Sequence, residues 1–480
     1  MLNRRELIKR GAVTVAIFSG VLPGLRAAAA PPRTRRDITT LRDTDDTLLS
    51  LRQFIKDMRA RPDDRLPNWN SIAAIHGTRE GFNLCQHFNW YFLPWHRAYI
   101  EMIENMVMAH TGNARFAMPY WDWSALRTYP TAFTARLANG APNPLVSPGV
   151  GDDPERIRSP RLTITDSIAG TARITSLLRQ PSFELFASSR PVDGNEVWQN
   201  TLDPRWLGMR GVAGEFESSL HNVLHLLAGG AAGFMSSPES ARDPLFLVHH
   251  TNVDRIWASW RGQNSTDPLW SQMQFRNHFM RMDGSHYTVK VDDLLDTTGR
   301  GYQYDRLLDV NLAGATGDAR RLLQSATGQL PDTRVQVASP QRVGPAAALR
   351  FPRAARGGAL DLALRTGDDV YAVLNDIHLS AHVVGVRVFV NLPDTADDAS
   401  PEAPQFVSEL GFLPGGHHGG GEHRHSASVN LSPALRRLAS LGLLRDDTLT
   451  LRLVPVYAEG TDPGTQPGEV IPGAVTIGVL

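Results

Sequence analysis

The sequence predicts an α+β protein with several domains, in which a mainly helical bundle precedes an antiparallel β-sandwich. Residues from about 31 to 280 contain long helix-forming segments in which histidines recur, as expected of helices that turn ligands inward. After about residue 346 the pattern changes, because β-rich runs at 386–392, 448–454 and 474–480 are separated by Pro, Gly and Asp clusters. A chain of 480 residues with 42% hydrophobic content is long enough to bury separate cores.

The first 30 residues are predicted to be a signal peptide. Arg4 and Arg5 precede an apolar stretch at 12–22, and the alanines at 27–30 suit cleavage. The pattern resembles a twin-arginine export signal, and an ordinary secretory signal is the alternative. The apolar stretch is too short to persist as a membrane span. We therefore expect a bacterial protein that is periplasmic or secreted.

The overall charge argues against a nucleic-acid partner. The chain has 49 Lys and Arg against 49 Asp and Glu, and no basic block interrupts this balance. Small molecules are therefore the expected partners, and the oligomeric state is not predicted.

Two groups of three histidines carry the main functional signal. Three neutral imidazoles can hold a copper ion and leave a position open for dioxygen, and two such sites face to face would let one O2 meet both metals. A zinc hydrolase is the alternative, but the chain lacks His-Glu-x-x-His, and one cysteine cannot make a cysteine-rich zinc site. The candidate ligands are His76, His87 and His96 in the first group and His221, His225 and His250 in the second.

Helical spacing supports the second group. His221 and His225 are four residues apart in a segment that is predicted to end at Gly229 and Gly230. Side chains at this spacing lie roughly 6 Å apart on one face of a helix, close enough to share a metal.

A further helix is predicted to begin after Asp243, which is a suitable N-cap, with Pro244 in its first turn. This helix would bring His249 or His250 to the same metal. The spacing alone does not decide between them.

The residues around these histidines resemble the two copper motifs of the tyrosinase and catechol oxidase family. The first comprises Cys-Gln-His-Phe at 85–88, Phe-Leu-Pro-Trp-His-Arg-Ala-Tyr at 92–99 and Pro-Tyr-Trp-Asp-Trp at 119–123. The second comprises His-Asn-Val-Leu-His at 221–225 and Asp-Pro-Leu-Phe-Leu-Val-His-His-Thr-Asn-Val-Asp-Arg-Ile-Trp at 243–257. The resemblance implies two copper ions, CuA and CuB, with the second histidine of the pair, His250, as the ligand.

The family pattern also implies a covalent link near the metals. Cys85, the single cysteine, cannot form an intramolecular disulfide. Its spacing resembles that of relatives in which the sulfur is joined by a thioether to the copper ligand, here His87. From its position alone, one helical turn before His250, Phe246 is expected to stack on a ligand and to limit access to the metals, and simple packing is the alternative.

Two polar residues are expected to act on the substrate. Glu217 stands four residues before His221, the offset at which the plant enzymes carry their water-holding Glu. Asn222 directly follows His221, as in family members that hydroxylate monophenols. The resemblance implies that they hold a water that deprotonates the incoming phenol. Glu215 is the competing carboxylate, and capping of the helix start is the structural alternative.

The activity implied by the resemblance is oxidation of phenols and o-diphenols to o-quinones with O2. The alternative is a haemocyanin-like O2-binding protein without significant turnover. A catechol turnover assay separates the two.

The remainder of the chain is predicted to control access to the metals. Residues 281–309 resemble a linker that closes with the Tyr302-x-Tyr304 motif, and 310–345 look like a flexible tether. Residues 346–480 resemble the C-terminal domain of plant polyphenol oxidases, which covers the copper site of the latent proenzyme. A stability or oligomerisation module is the alternative.

Within 346–480, Phe412 and Leu413 are the candidates for a plug. The histidine-rich stretch 417–425 is predicted to be a solvated loop, with copper collection as its alternative. His378 and His382 are also four residues apart, but in a predicted strand they would lie about 13 Å from each other, so they are expected to be structural.

Overall fold

The computed structural model describes 13 stretches of the chain. These are residues 31–147, 162–180, 182–189, 211–231, 233–261, 273–309, 336–338, 341–343, 346–352, 368–393, 399–413, 424–444 and 448–479. The predicted signal peptide and most of the histidine-rich stretch lie outside them.

Nine α-helices are present in these stretches, eight of them before residue 262. They are α1 (Asp46–Ala60), α2 (Trp69–Ala74), α3 (Phe92–Thr111), α4 (Asp166–Ala169), α5 (Thr171–Leu178), α6 (Phe183–Phe186), α7 (Asn222–Gly229), α8 (Leu245–Arg261) and α9 (Ser432–Ser440). Shorter helical turns are Ile38–Thr40, Thr131–Phe133, Phe216–His221, Phe234–Ser236, Pro238–Arg242 and Asp292–Leu294.

The strands are concentrated in the second half of the chain. They are β1 (Arg33–Arg35), β2 (Gly77–Thr78), β3 (Gly81–Phe82), β4 (Leu137–Ala138), β5 (Ala141–Pro142), β6 (Gln274–Met280), β7 (His286–Lys290), β8 (Tyr302–Tyr304), β9 (Gln336–Ala338), β10 (Gln341–Val343), β11 (Ala346–Pro352), β12 (Val370–Leu379), β13 (Val383–Val390), β14 (Phe406–Gly411), β15 (Arg424–Asn430), β16 (Thr448–Tyr457), β17 (Val470–Ile471) and β18 (Ala474–Val479). A mainly helical part followed by antiparallel sheets confirms the coarse fold prediction.

The long helices α3 and α8 pack against each other at the centre of the helical part. Asp243 caps α8 as predicted, because its side chain accepts a hydrogen bond from Leu245 N at 2.9 Å. Where α3 and α8 face each other, the rings of His96 and His250 stack with centroids 4.4 Å apart.

The end of α7 also agrees with the prediction. Gly230 has a φ of 54°, a backbone conformation that glycine adopts at little cost. Before α7, Phe216–His221 forms a π-helical turn, a feature frequently found at functional sites. The ligand candidate His221 stands at the junction of the two.

A buried ionic network explains the Tyr-x-Tyr motif. The Oδ2 atom of Asp254 accepts hydrogen bonds from Arg35 Nη1 at 2.8 Å, Tyr302 OH at 2.8 Å and Tyr304 OH at 2.5 Å, while Oδ1 accepts from Arg97. Burial alone would raise the pKa of Asp254, but the two arginines outweigh it and lower that pKa. Asp254 therefore stays ionised and ties α8 to α3, β1 and β8.

The second part is built from two antiparallel sheets. One has the strand order β10-β11-β16-β13-β14, and the other has the order β15-β12-β18-β9 with β17 also paired to β12. Buried apolar side chains from both sheets, such as Leu451 and Val475, belong to one hydrophobic core.

The helical part and the sheets lie within one compact unit, residues 33–480. Each contributes side chains to the other's core. Leu413 of the β part belongs to the helical core, whereas Phe88 and Ala213 of the helical part belong to the core of the sheets. Main-chain bonds reinforce the contact, since Ala213 N donates to Ser426 O at 2.8 Å and Ser428 N donates to Ala213 O at 2.9 Å.

Two predictions need correction. The tether was predicted over 310–345, but its last part forms β9 and β10, because these residues pair with β18 and β11. Residues 310–335 lie outside the described stretches. His378 lies in β12 as predicted, whereas His382 lies in the turn before β13 with a φ of 68°, so the strand is interrupted between them.

Candidate metal centre

The first histidine group surrounds the start of α3. Ring centroids are 5.5 Å apart for His76 and His96, 5.0 Å for His87 and His96, and 5.7 Å for His76 and His87. His76 Nδ1 bonds to Pro238 O at 3.0 Å and His96 Nδ1 bonds to Phe92 O at 2.8 Å. A carbonyl can only accept, so both Nδ1 atoms carry hydrogen and both Nε2 atoms have a free lone pair. These Nε2 atoms are buried and have no hydrogen-bond partner in the described stretches.

In the second group, three ring nitrogens converge on one point. His250 Nε2 lies 3.1 Å from His225 Nε2 and 3.3 Å from His221 Nε2. Bonds of about 2.0–2.1 Å to a tetrahedral metal would put neighbouring nitrogens about 3.3 Å apart. His225 Nδ1 bonds to Met235 O and His221 Nδ1 bonds to Asn222 Oδ1, each at 2.8 Å, so both present Nε2 to the common point. The donor set therefore fits a metal ion.

The two groups face each other across a narrow gap. Besides the stacked His96 and His250, the rings of His87 and His221 stack with centroids 5.8 Å apart. Phe246 fills one side of this space, with its ring 4.0 Å from that of His250 and 4.9 Å from that of His76. Two ions held here would be close enough to act on one small molecule.

His249 also points toward the second group. Its ligand atom lies within 4.8 Å of those of His221, His225 and His250, and neither of its ring nitrogens has a hydrogen-bond partner among the described residues. Its ring packs on Trp123 with centroids 4.9 Å apart. The short Nε2 distances within this group involve His250, the histidine that the family pattern implies as the ligand.

Cys85 lies beside the first group. Its Sγ and the ligand nitrogens of His76 and His87 all lie within 4.8 Å of one another, and the cysteine is fully buried. The sulfur is therefore next to the ring to which the predicted thioether would join it.

The two candidate carboxylates have different partners. Glu217 Oε1 accepts a hydrogen bond from Phe88 N at 2.6 Å and lies 3.3 Å from His87 Nδ1, while Oε2 accepts from Ser188. Glu215 instead accepts from Gln180 Nε2 at 2.9 Å and from Asn430 N of β15 at 2.8 Å. Glu217 thus lies at the histidines and Glu215 joins the helical part to the sheets.

Asn222 is fully engaged in this structure. Its Oδ1 faces His221 Nδ1, and its Nδ2 donates to Gly411 O of β14 at 3.0 Å. The residue was expected to hold a water together with Glu217. Here its side chain connects a ligand candidate to the β part.

Burial keeps the histidines neutral. It lowers the pKa of His76 to about 3 and that of His225 to about 4, because a charged ring would lose its hydration. Burial, and next the neighbouring histidines, also lower the pKa of His221 and His250 well below the usual value. Neutral imidazole is the form that binds metals.

These shifts predict that the metal-free protein loses stability in acid. The unfolded chain takes up protons near pH 6.5 and the folded chain only near pH 3 to 4, so the free energy of unfolding falls as the pH drops through that window. In this window each such histidine lowers the free energy of unfolding by about 1.4 kcal/mol per pH unit. The melting temperature of the metal-free protein should therefore be clearly lower at pH 5 than at pH 7.5. His225→Gln should flatten this dependence, and equal melting temperatures at the two pH values would contradict the prediction.

Known proteins share both parts of this structure. The profile of the common central domain of tyrosinase matches residues 67–263, and that of the C-terminal domain of chloroplastic polyphenol oxidase matches residues 365–465. The chain belongs to the tyrosinase and polyphenol oxidase family. It is accordingly an oxidoreductase that uses two copper ions to oxidise phenols with O2, and the two facing histidine groups fit those ions.

Individual relatives extend the match to nearly the whole chain. A tyrosinase from Hahella sp. (strain CCB-MM4) is 24% identical over 488 residues, which cover 91% of this chain and 98% of that protein. The structure of latent apple tyrosinase shares the fold with a TM-score of 0.62 at 21% identity, over 94% of this chain and 98% of that one. A haemocyanin from Enteroctopus dofleini is 32% identical over 249 residues, but these cover 48% of this chain and 8% of that protein.

Sequence reasoning missed two residues of this polyphenol oxidase centre. Phe88, next to His87, has a φ of 59°, unusual for an aromatic residue, and its ring lies 5.0 Å from that of His425 in the β part. Gly411 packs directly on the backbone of α7. The position of Gly411 just before the apolar pair 412–413 could have indicated its close packing, but no local sequence feature indicates the role of Phe88.

No helix among the described residues combines the length and the apolar character needed to cross a membrane.

Proposed function

We propose that this polyphenol oxidase is exported and latent, with a C-terminal β-sandwich that covers the copper pocket until it is displaced. Its substrates are phenols and o-diphenols, and its products are o-quinones. The proposed ligands are His76, His87 and His96 for CuA and His221, His225 and His250 for CuB. Export rests on the signal pattern in residues 1–30, which lie outside the described stretches.

The burial of Leu413 carries the proposal of latency. Leu413 is 3% exposed and, among the described residues, is the member of the helical core that comes from the β part. That core also contains Phe92 and Phe246, whose rings pack on the histidines. Phe412, the other plug candidate, belongs to the core of the sheets and stacks on His425 with centroids 4.7 Å apart. Leu413 is therefore the proposed plug.

The proposed reaction uses the two copper ions together with side chains and carbonyls of this chain. When bound, the two copper ions supply the electron transfer between the phenol and O2. The carbonyls of Pro238, Phe92 and Met235 hold Nδ1 of three histidines so that Nε2 faces the metal. The apolar ring of Phe246 limits water and substrate in the gap. The carboxylate of Glu217, which Phe88 N and Ser188 hold beside His87, accepts the proton of the phenol.

The experiment for the proposed function is oxygen uptake with a catechol and with a tyrosine-like monophenol, before and after limited proteolysis within 310–335. Rates are expressed per bound copper. A low rate that rises many-fold after cleavage and release of the β part supports a latent oxidase. Stoichiometric O2 binding without turnover in both forms would favour the haemocyanin-like alternative.

Glu217→Gln is expected to lower monophenol hydroxylation more than diphenol oxidation. A neutral amide cannot take a proton from the phenol, whereas a diphenol needs less help with deprotonation. The ratio of the two initial rates measures the effect. Glu215→Gln is the matched control, because its carboxylate bonds to Gln180 and β15, and it should leave the ratio unchanged. An unchanged ratio in Glu217→Gln would refute the assignment.

Cys85 is expected to be joined to His87 by a thioether. Formation of the bond removes one hydrogen from the sulfur and one from the ring, a two-electron oxidation for which O2 is the oxidant. The intact mass of the copper-loaded, denatured protein should therefore fall by two hydrogens. The sulfur should also resist alkylation. Cys85→Ser should show no deficit, and full alkylation of the wild-type protein would exclude the bond.

A further inference from the structure

Gly411 of the β part is connected to a proposed copper ligand by two hydrogen bonds. Its carbonyl accepts from Asn222 Nδ2 at 3.0 Å, and Asn222 Oδ1 lies 2.8 Å from His221 Nδ1. Asn222 and His221 are fully buried, so water does not compete for these bonds.

The chain of bonds has one possible polarity. The Gly411 carbonyl can only accept, so the amide NH2 of Asn222 must face it. The amide oxygen then faces His221, and Nδ1 of that ring must carry the hydrogen. The lone pair is left on Nε2, the atom that lies 3.3 Å from His250 Nε2. A backbone carbonyl in β14 thereby sets the tautomer and the orientation of a ring in the helical part.

The other ligands with a hydrogen-bonded Nδ1 are held differently. His76, His96 and His225 bond directly to carbonyls of Pro238, Phe92 and Met235, all in the helical part. His221 differs from these three, because its Nδ1 bonds to the side chain of Asn222, and Asn222 in turn bonds to Gly411 of the β part.

We propose that Gly411 is a positioning residue for the CuB site, so that docking of the β part and retention of that copper ion stabilise each other. This inference rests on the proposed role of His221 as a ligand. It makes the β part a support of the metal centre as well as its cover. Because linkage is reciprocal, docking of β14 on α7 strengthens copper binding at CuB by the same factor by which bound copper strengthens that docking.

The close packing at Gly411 provides a selective variant. A Cβ added there would lie 2.9 Å from Val223 N and 3.0 Å from Asn222 C, which are backbone atoms of α7. Gly411→Ala must therefore push β14 away from α7 without altering any histidine. Asn222→Leu is the second variant, because it keeps the approximate size of the side chain and removes both bonds.

The experiment measures the rate at which the copper-loaded full-length protein loses each ion to a chelator. Loss of an outer hydrogen-bond partner typically weakens a metal site roughly 10- to 100-fold. Both variants should release one of their two ions faster by about that factor, while the other ion leaves at the wild-type rate. Hydrogen exchange at the amides of β14 and α7 reports whether Gly411→Ala has displaced the strand.

Two outcomes would overturn the proposal. Wild-type release of both ions from Asn222→Leu would show that the bonds do not support the ligand. Equal acceleration of both ions would show a general loosening of the fold. This test is separate from that of latency, because it measures copper release and not catechol turnover. Leu441→Ala, at a leucine that is 56% exposed on the β part, is the matched control and should release both ions at the wild-type rate.

Discussion

Replacing His225 with alanine should leave the protein with one copper ion per chain and reduce catechol turnover to the background rate. Nε2 of His225 lies 3.1 Å from that of His250, and Met235 O holds its Nδ1, so the alanine variant removes a positioned nitrogen from the group. One remaining ion cannot complete a two-electron oxidation. Metal analysis and oxygen uptake measure the two effects.

The neighbouring histidine provides the matched control. His249 is as deeply buried as His250, and its ligand atom is also within 4.8 Å of the group, but the short Nε2 contacts belong to His250. His250→Gln should therefore lose one copper ion, whereas His249→Gln should keep both. Two copper ions with full activity in His225→Ala, or zinc in the purified protein, would refute the ligand assignment.

Leu413→Ala should activate the full-length protein. Burial of a leucine side chain contributes about 1.5–3 kcal/mol, so its truncation should shift the balance between covered and open forms by about 10- to 100-fold. Catechol turnover per copper should rise accordingly, while the copper content stays at that of the wild-type protein. Cleavage within 310–335 followed by release of the β part should not raise the turnover of this variant much further.

Two further variants test whether the effect belongs to the plug. Leu413→Met preserves the volume and the apolar character, so it should remain latent. Leu441→Ala alters a leucine that is 56% exposed on the β part and should have no effect. If the wild-type protein and its separated helical part oxidise catechol at the same rate per copper, the β part has a structural role only.

Local sequence features predicted much of the structure around the second histidine group. The four-residue spacing of His221 and His225, the glycines at 229–230 and the cap at Asp243 are local features, and each appears in the structure where it was predicted. Such features are readable because a helix is defined by neighbours a few residues apart in the chain. The family pattern supplied His250 over His249, which spacing alone left open.

Contacts between distant segments could not be read in this way. Asp254, one helical turn after His250, binds Arg35, Arg97 and the two tyrosines, and His250 Nδ1 has no hydrogen-bond partner among the described residues. The partners of Asp254 lie 48 to 219 residues away in the sequence. Nothing local to this helix indicates them.

The sequence by itself determined the class of chemistry, through six histidines in ordered motifs, and the order of a helical part before a β part. The tertiary structure alone showed that Glu217 contacts His87 whereas Glu215 bonds to Gln180 and β15, that Leu413 packs in the helical core whereas Phe412 packs in the core of the sheets, and that Asn222 connects Gly411 to His221. The two members of each pair have similar chemistry, so only their positions in the fold distinguish them. Docking is set by packing between segments about 200 residues apart, such as Asn222 and Gly411, so local patterns do not predict it.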